Sequence, residues 1–176
     1  MRVIRVVAAH LRTCAADAPV PWNGRTFDFT GAAFDGGDLK EVHIGPGTEL
    51  IFHDATFSGG RIDFRGAKFS GGHTHFAGAE VSGGEITFSD ARIAGGSLDF
   101  MTAEIRDGHV DFTDVRMSGG DIDFRYVTLA VGVVDFGSTA FSGGKVDFED
   151  AKLSGGVVVL SAGTAGWIRL PATEPL

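Results

Sequence analysis

The sequence predicts an all-β chain folded as a parallel β-helix, a solenoid in which one short unit is repeated. Three observations lead to this prediction: phenylalanine recurs at every twelfth position, a glycine column has the same period, and apolar residues alternate with polar ones between them. We call the following set the phenylalanine ladder: Phe52, Phe64, Phe76, Phe88, Phe100, Phe112, Phe124, Phe136 and Phe148. One such unit cannot bury its own apolar face, so we expect the copies to stack.

Each repeat contains a short strand that follows a glycine corner. In Arg61-Ile62-Asp63-Phe64 apolar and polar residues alternate, which is typical of a strand with one buried face. The preceding Gly59-Gly60 pair allows backbone angles that other residues resist, so it marks a corner. Copies begin at Trp22, and the copy starting at Phe34 is one residue short. The repeats are therefore predicted to cover residues 22–164.

A coil of the solenoid could contain one repeat or two. The charges of one column alternate in sign and favour twelve residues per coil, since stacked neighbours would attract. These residues are Lys68, Glu80, Arg92, Glu104 and Arg116. Core volume favours twenty-four, because a coil of twelve leaves too little room between facing walls for its large side chains. We therefore expect about 24 residues per coil and about six coils, forming a rod roughly 30 Å long.

The ends of a solenoid are open sheet edges, which need covers. At the N-terminus the apolar residues fall on one face of a helix: Val3, Ile4, Val7, Ala8 and Leu11. Residues 2–14 are expected to form a short helix that caps the first coil. Residues 1–21 are then a capping helix with its linker, and residues 165–176 form a C-terminal cap or tail.

The last repeat replaces polar outward positions with apolar residues. Val157 and Val159 stand where the preceding repeat has Lys145 and Asp147. In a coil of 24 residues Val133 would lie beside Val157, and the chain continues with Trp167, Ile168 and Leu170. We name Val133, Val157, Val159, Trp167, Ile168 and Leu170 the C-terminal patch. It predicts either a self-contained cap or a surface for dimerisation.

Two five-residue segments resemble a known family. Ala67-Lys68-Phe69-Ser70-Gly71 and Ile62-Asp63-Phe64-Arg65-Gly66 resemble the units of pentapeptide-repeat proteins, in a variant with 12-residue Phe-Ser-Gly-Gly repeats. The chain departs from that pattern by two extra residues between units. The resemblance implies a right-handed, four-sided coil, and C-terminal dimers occur in the family. It therefore favours a homodimer formed through the C-terminal end.

Composition limits the partners of the chain. The formal net charge is −8, which argues against binding nucleic acid or an anionic membrane. The single cysteine, Cys14, permits no internal disulfide and is typical of a reducing compartment. The sequence contains no run of the roughly 20 apolar residues that span a bilayer. We expect a cytoplasmic protein.

Aspartates at equivalent outward positions form a candidate acidic binding face. They are Asp63, Asp99, Asp111, Asp123, Asp135 and Asp147. The simplest interpretation is a solvated strand face copied with the repeat. A calcium β-roll fails on the period, the aspartate position and a missing third glycine. The resemblance offers a third interpretation, an acidic rod that imitates DNA, although Lys68, Arg92 and Arg116 form a basic stripe elsewhere.

Other residues do not predict catalysis. His73 and His75 lie two apart on one strand, but no carboxylate or cysteine completes a metal site at convincing spacing, so a polar strand is expected. The serines belong mostly to glycine corners, which indicates no nucleophile. We expect a non-catalytic scaffold or protein-interaction module without a cofactor, its partner unidentified. The alternative is a DNA-mimicking modulator of DNA gyrase or another topoisomerase.

Overall fold

The chain folds as a parallel β-solenoid of about six turns with one short N-terminal helix. The computed structural model describes residues 2–12, 21–164 and 166–172, without the side chain of Arg2. Helix α1 spans Arg2–Leu11. The first coil starts with β1 (Thr26–Asp28), β2 (Ala33–Phe34), β3 (Gly37–Asp38) and β4 (His43–Ile44). The strands of later coils pair in parallel with these and with one another.

Three sheets form the walls. After β1 and β4, sheet I contains β5 (Glu49–Ile51), β8 (Lys68–His75), β11 (Arg92–Asp99), β14 (Arg116–Asp123), β17 (Ala140–Asp147) and β20 (Ile168–Arg169). Sheet II continues from β2 through β6 (Thr56–Phe57), β9 (Glu80–Val81), β12 (Glu104–Ile105), β15 (Thr128–Leu129) and β18 (Lys152–Leu153). Sheet III continues from β3 through β7 (Arg61–Asp63), β10 (Glu85–Thr87), β13 (His109–Asp111), β16 (Val133–Phe136) and β19 (Val157–Leu160).

The strand register confirms a coil of 24 residues. In sheet III, Glu85 pairs with Arg61 on one side and with His109 on the other. Each eight-residue strand of sheet I covers two sides of the coil. The start of β8 pairs with β4 through Lys68 and His43, and its end pairs with the separate strand β5 through His73 and Glu49. The coil is therefore four-sided.

The phenylalanine ladder is buried along the axis as two stacks. In one stack the ring centroids of Phe76, Phe100 and Phe124 are 4.6 and 4.7 Å apart. In the other, Phe88 and Phe112 are 4.8 Å apart and nearly parallel. Rings of different stacks meet edge to face, with centroids 6.1 to 6.4 Å apart between Phe64 and Phe148. Both geometries are favourable for aromatic pairs.

A tight turn follows each ladder phenylalanine. After Phe88, the amide of Ala91 donates to the Phe88 carbonyl over 2.9 Å, and Asp90 has a φ of 59°. The equivalent residue has positive φ in most repeats, either as glycine or as Asp54, Thr102, Asp114, Tyr126, Ser138 or Asp150. The small residue that ends the turn is buried, as Ala91 is. The sequence had indicated only the glycine corners.

The Ser-Gly-Gly segments take two forms that alternate along the chain. Between β9 and β10 the segment breaks the strand, whereas in β14 it runs through an eight-residue strand as an irregular pairing. Gly120, inside β14, has a φ of 77°, and a Cβ on it would stand 2.8 Å from the Gly96 carbonyl oxygen. Only glycine fits this position.

The first coil is irregular and is completed by α1. Relative to the second coil, the first coil has two residues fewer on one side, because Phe34 pairs with Phe57 while Gly37 pairs with Ile62. On another side it has one residue more, because Ile44 pairs with Phe69 while Glu49 pairs with His73. Gly37 consequently lies beside Ile62, and Ile4 of α1 fills the space, with its Cγ2 3.2 Å from where a Gly37 Cβ would stand. The net shortening by one residue agrees with the sequence prediction.

The capping helix is shorter than predicted, and one of its predicted core residues is exposed. Ile4, Val7, Ala8 and Leu11 are buried, but Val3 is 62% exposed. Val3 lies roughly 80° around the helix from Leu11, at the margin of the apolar stripe, so it faces solvent. The helix ends at Leu11. Residues 13 and 14 of the predicted cap lie outside the described residues.

Removing one ring from a stack should destabilise the whole solenoid. Phe112 is fully buried between Phe88 and Phe136. Phe112→Ala loses its burial and leaves a cavity that neighbouring coils cannot close, so we expect the free energy of unfolding to fall by about 3–5 kcal/mol. Urea denaturation followed by circular dichroism measures this. Phe112→Leu should lose clearly less, and equal losses would contradict the stacked core.

Thr74 interrupts an aliphatic column inside the coil. It lies between Leu50 and Leu98 and is fully buried, and its hydroxyl has no hydrogen-bond partner among the described residues. A buried hydroxyl without a partner destabilises the fold. Thr87 stands in the outward column of aspartates, between Asp63 and Asp111. It is also buried, but its hydroxyl donates to Asp111 Oδ2 over 2.8 Å.

The two threonines should respond to the same substitution with opposite signs. Thr74→Val keeps the shape and removes the unpaired hydroxyl, so we expect the free energy of unfolding to rise by about 1–2 kcal/mol. Thr87→Val removes the hydrogen bond to Asp111 and the one that the hydroxyl accepts from Ser89 N, so it should lower the free energy of unfolding by about 1–2 kcal/mol. Urea denaturation of both variants measures the difference. A loss of stability in Thr74→Val would show that its hydroxyl is satisfied.

Candidate functional site

The six aspartates of the candidate acidic face share a structural role. Each carboxylate accepts a hydrogen bond from the backbone amide two residues later, at the turn after the ladder phenylalanine. The bonds are Asp63 to Arg65 N (3.1 Å), Asp99 to Met101 N (2.9 Å), Asp111 to Thr113 N (2.8 Å), Asp123 to Arg125 N (2.9 Å), Asp135 to Gly137 N (2.7 Å) and Asp147 to Glu149 N (2.9 Å). The side chain thus bonds locally to the backbone that reverses direction. The recurrence of aspartate has a structural cause.

The structure divides these aspartates between two walls. Asp99, Asp123 and Asp147 stand on adjacent strands of sheet I. In sheet III, Asp111 and Asp135 are neighbours, but Thr87 separates Asp111 from Asp63. The candidate acidic face is therefore two short rows on different sides of the rod.

Two of the carboxylates are held charged by arginines. Arg125 Nε lies 3.0 Å from each carboxylate oxygen of Asp123. Arg65 likewise donates hydrogen bonds to both carboxylate oxygens of Asp63. Lys40 Nζ lies 3.4 Å from Asp63 as well. Burial alone would raise the pKa of Asp63 and of Asp123, but the arginine hydrogen bonds, the backbone amides and the positive charges outweigh it. The pKa of each carboxyl lies below its ordinary value.

The basic and the acidic residues of the charged column lie on different walls of the coil. The column consists of Lys68, Glu80, Arg92, Glu104 and Arg116. Lys68, Arg92 and Arg116 pair strand to strand in sheet I, and none has a salt bridge within the described part of the chain. Glu80 and Glu104 are neighbours in sheet II, and Arg106 bridges them at 3.5 and 3.0 Å. The alternation of signs along the sequence therefore arises from two walls of different charge.

The structure adds one histidine contact to the pair that the sequence indicated. His73 and His75 are on β8 as predicted, with ring centroids 5.9 Å apart. His53, from the turn after β5, brings its ring centroid to 5.5 Å from that of His75. The sequence could not pair His53 with the others, because the contact depends on the 24-residue register. Across residues 2–12, 21–164 and 166–172, no three His, Cys, Asp or Glu side chains stand in a ready-made metal-binding arrangement.

The C-terminal patch is partly internal and partly exposed. Val133 pairs with Val157 across sheet III, as expected from a coil of 24 residues. Trp167 stacks on Phe141 at 6.2 Å, and Ile168 is only 7% exposed. The exposed members are Val157 (51%), Val159 (37%) and Leu170 (47%), to which the structure adds Leu153 (42%) and Leu160 (38%). Among the described residues, the tail thus covers sheet I, and no strand pairs with the outer side of β19 in sheet III.

Comparisons with known proteins give no relative for this chain: no protein-family model matches it, and a search of curated proteins finds no match. Among the described residues no helix is long and apolar enough to cross a bilayer, since α1 has ten residues.

Acidification should remove the contribution of the Asp123–Arg125 pair. The pKa of Asp123 is lower in the folded chain than its unfolded value of 3.8, so the stabilisation is complete above that value and is lost as pH falls through the folded pKa. At about pH 6 we expect Asp123→Asn, which keeps an acceptor for Arg125 N, to lower the free energy of unfolding by on the order of 0.5–1 kcal/mol.

At about pH 3 the difference between wild type and Asp123→Asn should shrink. Urea denaturation at both pH values measures it. Asp121→Asn is the matched control, because Asp121 lies on the same strand and has no ion pair among the described residues. A deficit of Asp123→Asn that does not change with pH would contradict the assignment.

Proposed function

We propose that this chain is a non-catalytic interaction module of the pentapeptide-repeat-like type, which forms a homodimer through its C-terminal end. The observation that carries the proposal is the outermost strand of sheet III. β19 is Val157-Val158-Val159-Leu160, and three of its four side chains are exposed. An apolar edge strand without a charge is a ready template for pairing with another strand.

The two ends of the rod differ in how they are covered. At the N-terminal end α1 packs Ile4, Val7, Ala8 and Leu11 against the first coil. At the other end, within the described residues, β20 extends sheet I, whereas β18 and β19 have no further neighbour. The preceding repeat places charged residues at the corresponding outward positions, which are Lys145 and Asp147 of β17. The absence of such charges in β19 favours a partner there.

A second copy of the chain fits this end best. A dimer with twofold symmetry brings the same patch from both copies together, so each exposed valine or leucine meets an apolar counterpart. The exposed residues Val157, Val159 and Leu160 all belong to β19 and share the edge of sheet III, which allows them to be buried together. The resemblance described above adds support, because C-terminal dimers occur in that family. The walls of the rod remain available for an unidentified protein partner, and we propose a cytoplasmic location.

The DNA-mimicking alternative has less support. A net charge of −8 is compatible with an acidic rod. However, the aspartates form two separate rows, and each uses an oxygen to bind the backbone of its own turn. Asp63 and Asp123 are also paired with arginines. The remaining negative surface is thus less continuous than the phosphate ladder that it would imitate.

Restoring the repeat residues at the open end should prevent dimerisation. Val157→Lys combined with Val159→Asp reproduces Lys145 and Asp147 of the preceding repeat, so the fold should tolerate the change. Light scattering of the wild-type chain should give a dimer mass, and the double variant should give a monomer at the same concentration, because charges at the edge oppose strand pairing.

Val6→Lys is the matched control, since Val6 is an exposed valine (48%) at the capped end. This variant should remain dimeric. A monomeric wild-type chain, or a double variant that dimerises as well as the wild type, would overturn the proposal. Circular dichroism confirms that each variant is folded.

A further inference from the structure

Four valines stand at outward positions of the last two coils, on sheet III and at its corner with sheet II. Val133 and Val157 pair in the register, and Val159 is two residues after Val157 on β19, so these side chains leave the same face of the sheet. Val131 precedes β16 at the corner and is 69% exposed. Val157 and Val159 are exposed, and Val133 is partly buried. We call these four residues the valine cluster.

The valine cluster is not copied with the repeat. The outward positions that it occupies are polar one coil earlier: Asp107 precedes Val131, His109 precedes Val133, and Asp135 precedes Val159. The coil therefore forms equally well with polar residues at these positions. An apolar patch that the fold does not require, with a polar border, is typical of a surface that binds another protein.

Three carboxylates border the valine cluster on the side of the preceding coil. They are Asp107, which is exposed, and Asp111 and Asp135, which are partly buried. Asp111 and Asp135 are neighbours in sheet III, and Asp135 pairs with Val159. None of the three has an ion pair within the part of the chain that the structure describes. The border is therefore acidic.

Two cations close to this border do not change its sign. Arg106 adjoins Asp107 in the sequence, but its guanidinium is bound to Glu80 and Glu104 of sheet II. Lys152 belongs to β18, which is also part of sheet II. The face of sheet III around the valine cluster thus combines an apolar surface with a negative border, which fits a partner that is apolar with a positive border.

We propose that the valine cluster binds an amphipathic helix of a partner protein, one with lysine or arginine along a border of its apolar stripe. This inference rests on the interaction module proposed above and names its surface and the chemistry of its partner. Residues i and i+4 of a helix are about 6 Å apart along the axis, and alternate residues of a strand are about 6.6 Å apart. A helix that follows β16 can therefore place successive apolar side chains over Val131 and Val133, while its basic border faces Asp107 and Asp111.

This surface differs from the proposed dimer contact. Pairing through β19 uses the outer backbone edge of that strand. Val131 and Val133 belong to the preceding coil, one strand further from the end of the rod, and their side chains point away from the wall. A dimer formed at the edge leaves both valines accessible, so the two surfaces can be changed independently.

Fluorescence anisotropy of a labelled synthetic helix, titrated with the full chain, tests the site. The probe is a peptide of about 18 residues with a leucine stripe and lysines along one border. We expect a dissociation constant on the order of 10 μM. The same peptide with glutamate in place of each lysine should bind at least about tenfold more weakly, because its charges face an acidic border.

Two double variants separate the apolar and the charged contributions. Val131→Gly with Val133→Thr should weaken binding of the lysine peptide about tenfold, since apolar area is lost. The fold should tolerate both changes, because Gly83 is the equivalent of Val131 in an earlier coil and threonine keeps the shape of valine. Asp107→Asn with Asp135→Asn, which keeps an acceptor for Gly137 N, should weaken binding about fivefold.

Val6→Thr and Asp121→Asn are the matched controls, since Val6 is an exposed valine at the capped end and Asp121 lies on sheet I. Both should bind the lysine peptide as the wild type does. Light scattering separates this site from the dimer, because Val131→Gly with Val133→Thr should keep the mass of the wild type.

A wild-type chain that dimerises but does not bind the lysine peptide would overturn this site alone. Equal binding of the glutamate peptide, or undiminished binding by Val131→Gly with Val133→Thr, would overturn it as well. A monomeric wild-type chain that binds the lysine peptide, and loses it in this double variant, would support the site and contradict the dimer. Circular dichroism confirms that each variant is folded.

Discussion

The structure depends on the agreement between two spacings. Parallel strands of adjacent coils lie about 4.8 Å apart, which backbone hydrogen bonding determines. The stacked phenyl rings have centroids 4.6 to 5.0 Å apart from Phe52 to Phe148, so ring stacking and strand pairing are satisfied together. A residue added to one coil would move its ring out of the stack. The spacing is 24 residues throughout the phenylalanine ladder from Phe52 to Phe148. It changes only at the two ends, to 23 residues between β1 and β5 and to 22 between β17 and β20. In the first coil Ile4 of α1 fills the gap.

The same constraint explains the recurring outward aspartates. A four-sided coil must turn sharply after each ladder phenylalanine, and the turn needs a residue with positive φ and a partner for its free amide. An aspartate placed two residues before that amide supplies the partner, as Asp111 does for Thr113. Thr87 does the same with its hydroxyl, over 3.2 Å to the Ser89 amide. A carboxylate that recurs for this reason is weak support for a binding function.

The sequence predicted the interior better than the exterior. The phenylalanine ladder, the length of the coil and the pairing of Val133 with Val157 could be predicted from periodicity, because each depends on residues that repeat. The buried face of α1 could be predicted from helical spacing, apart from Val3 at its margin. The positive φ of Thr102 and Tyr126 could not be predicted, since both residues disfavour that conformation and tolerate it only where neighbouring coils impose the turn. The unpaired hydroxyl of Thr74 and the contact of His53 with His75 depend on the register, which a list of repeats does not provide.

Functional information in a repeat protein lies where the repeat is broken. An outward residue that is present in every copy serves the coil, whereas one that appears once has another cause or none. Two departures are concentrated in space here. Val157 and Val159 remove charge from a sheet edge, where charge normally prevents association. The His75 ring lies beside His73 on its own strand and beside His53 of the preceding coil. The rigid core fixes the backbone beneath both surfaces. Outward side chains can therefore differ between repeats without affecting the fold, and they still stand at defined positions relative to one another.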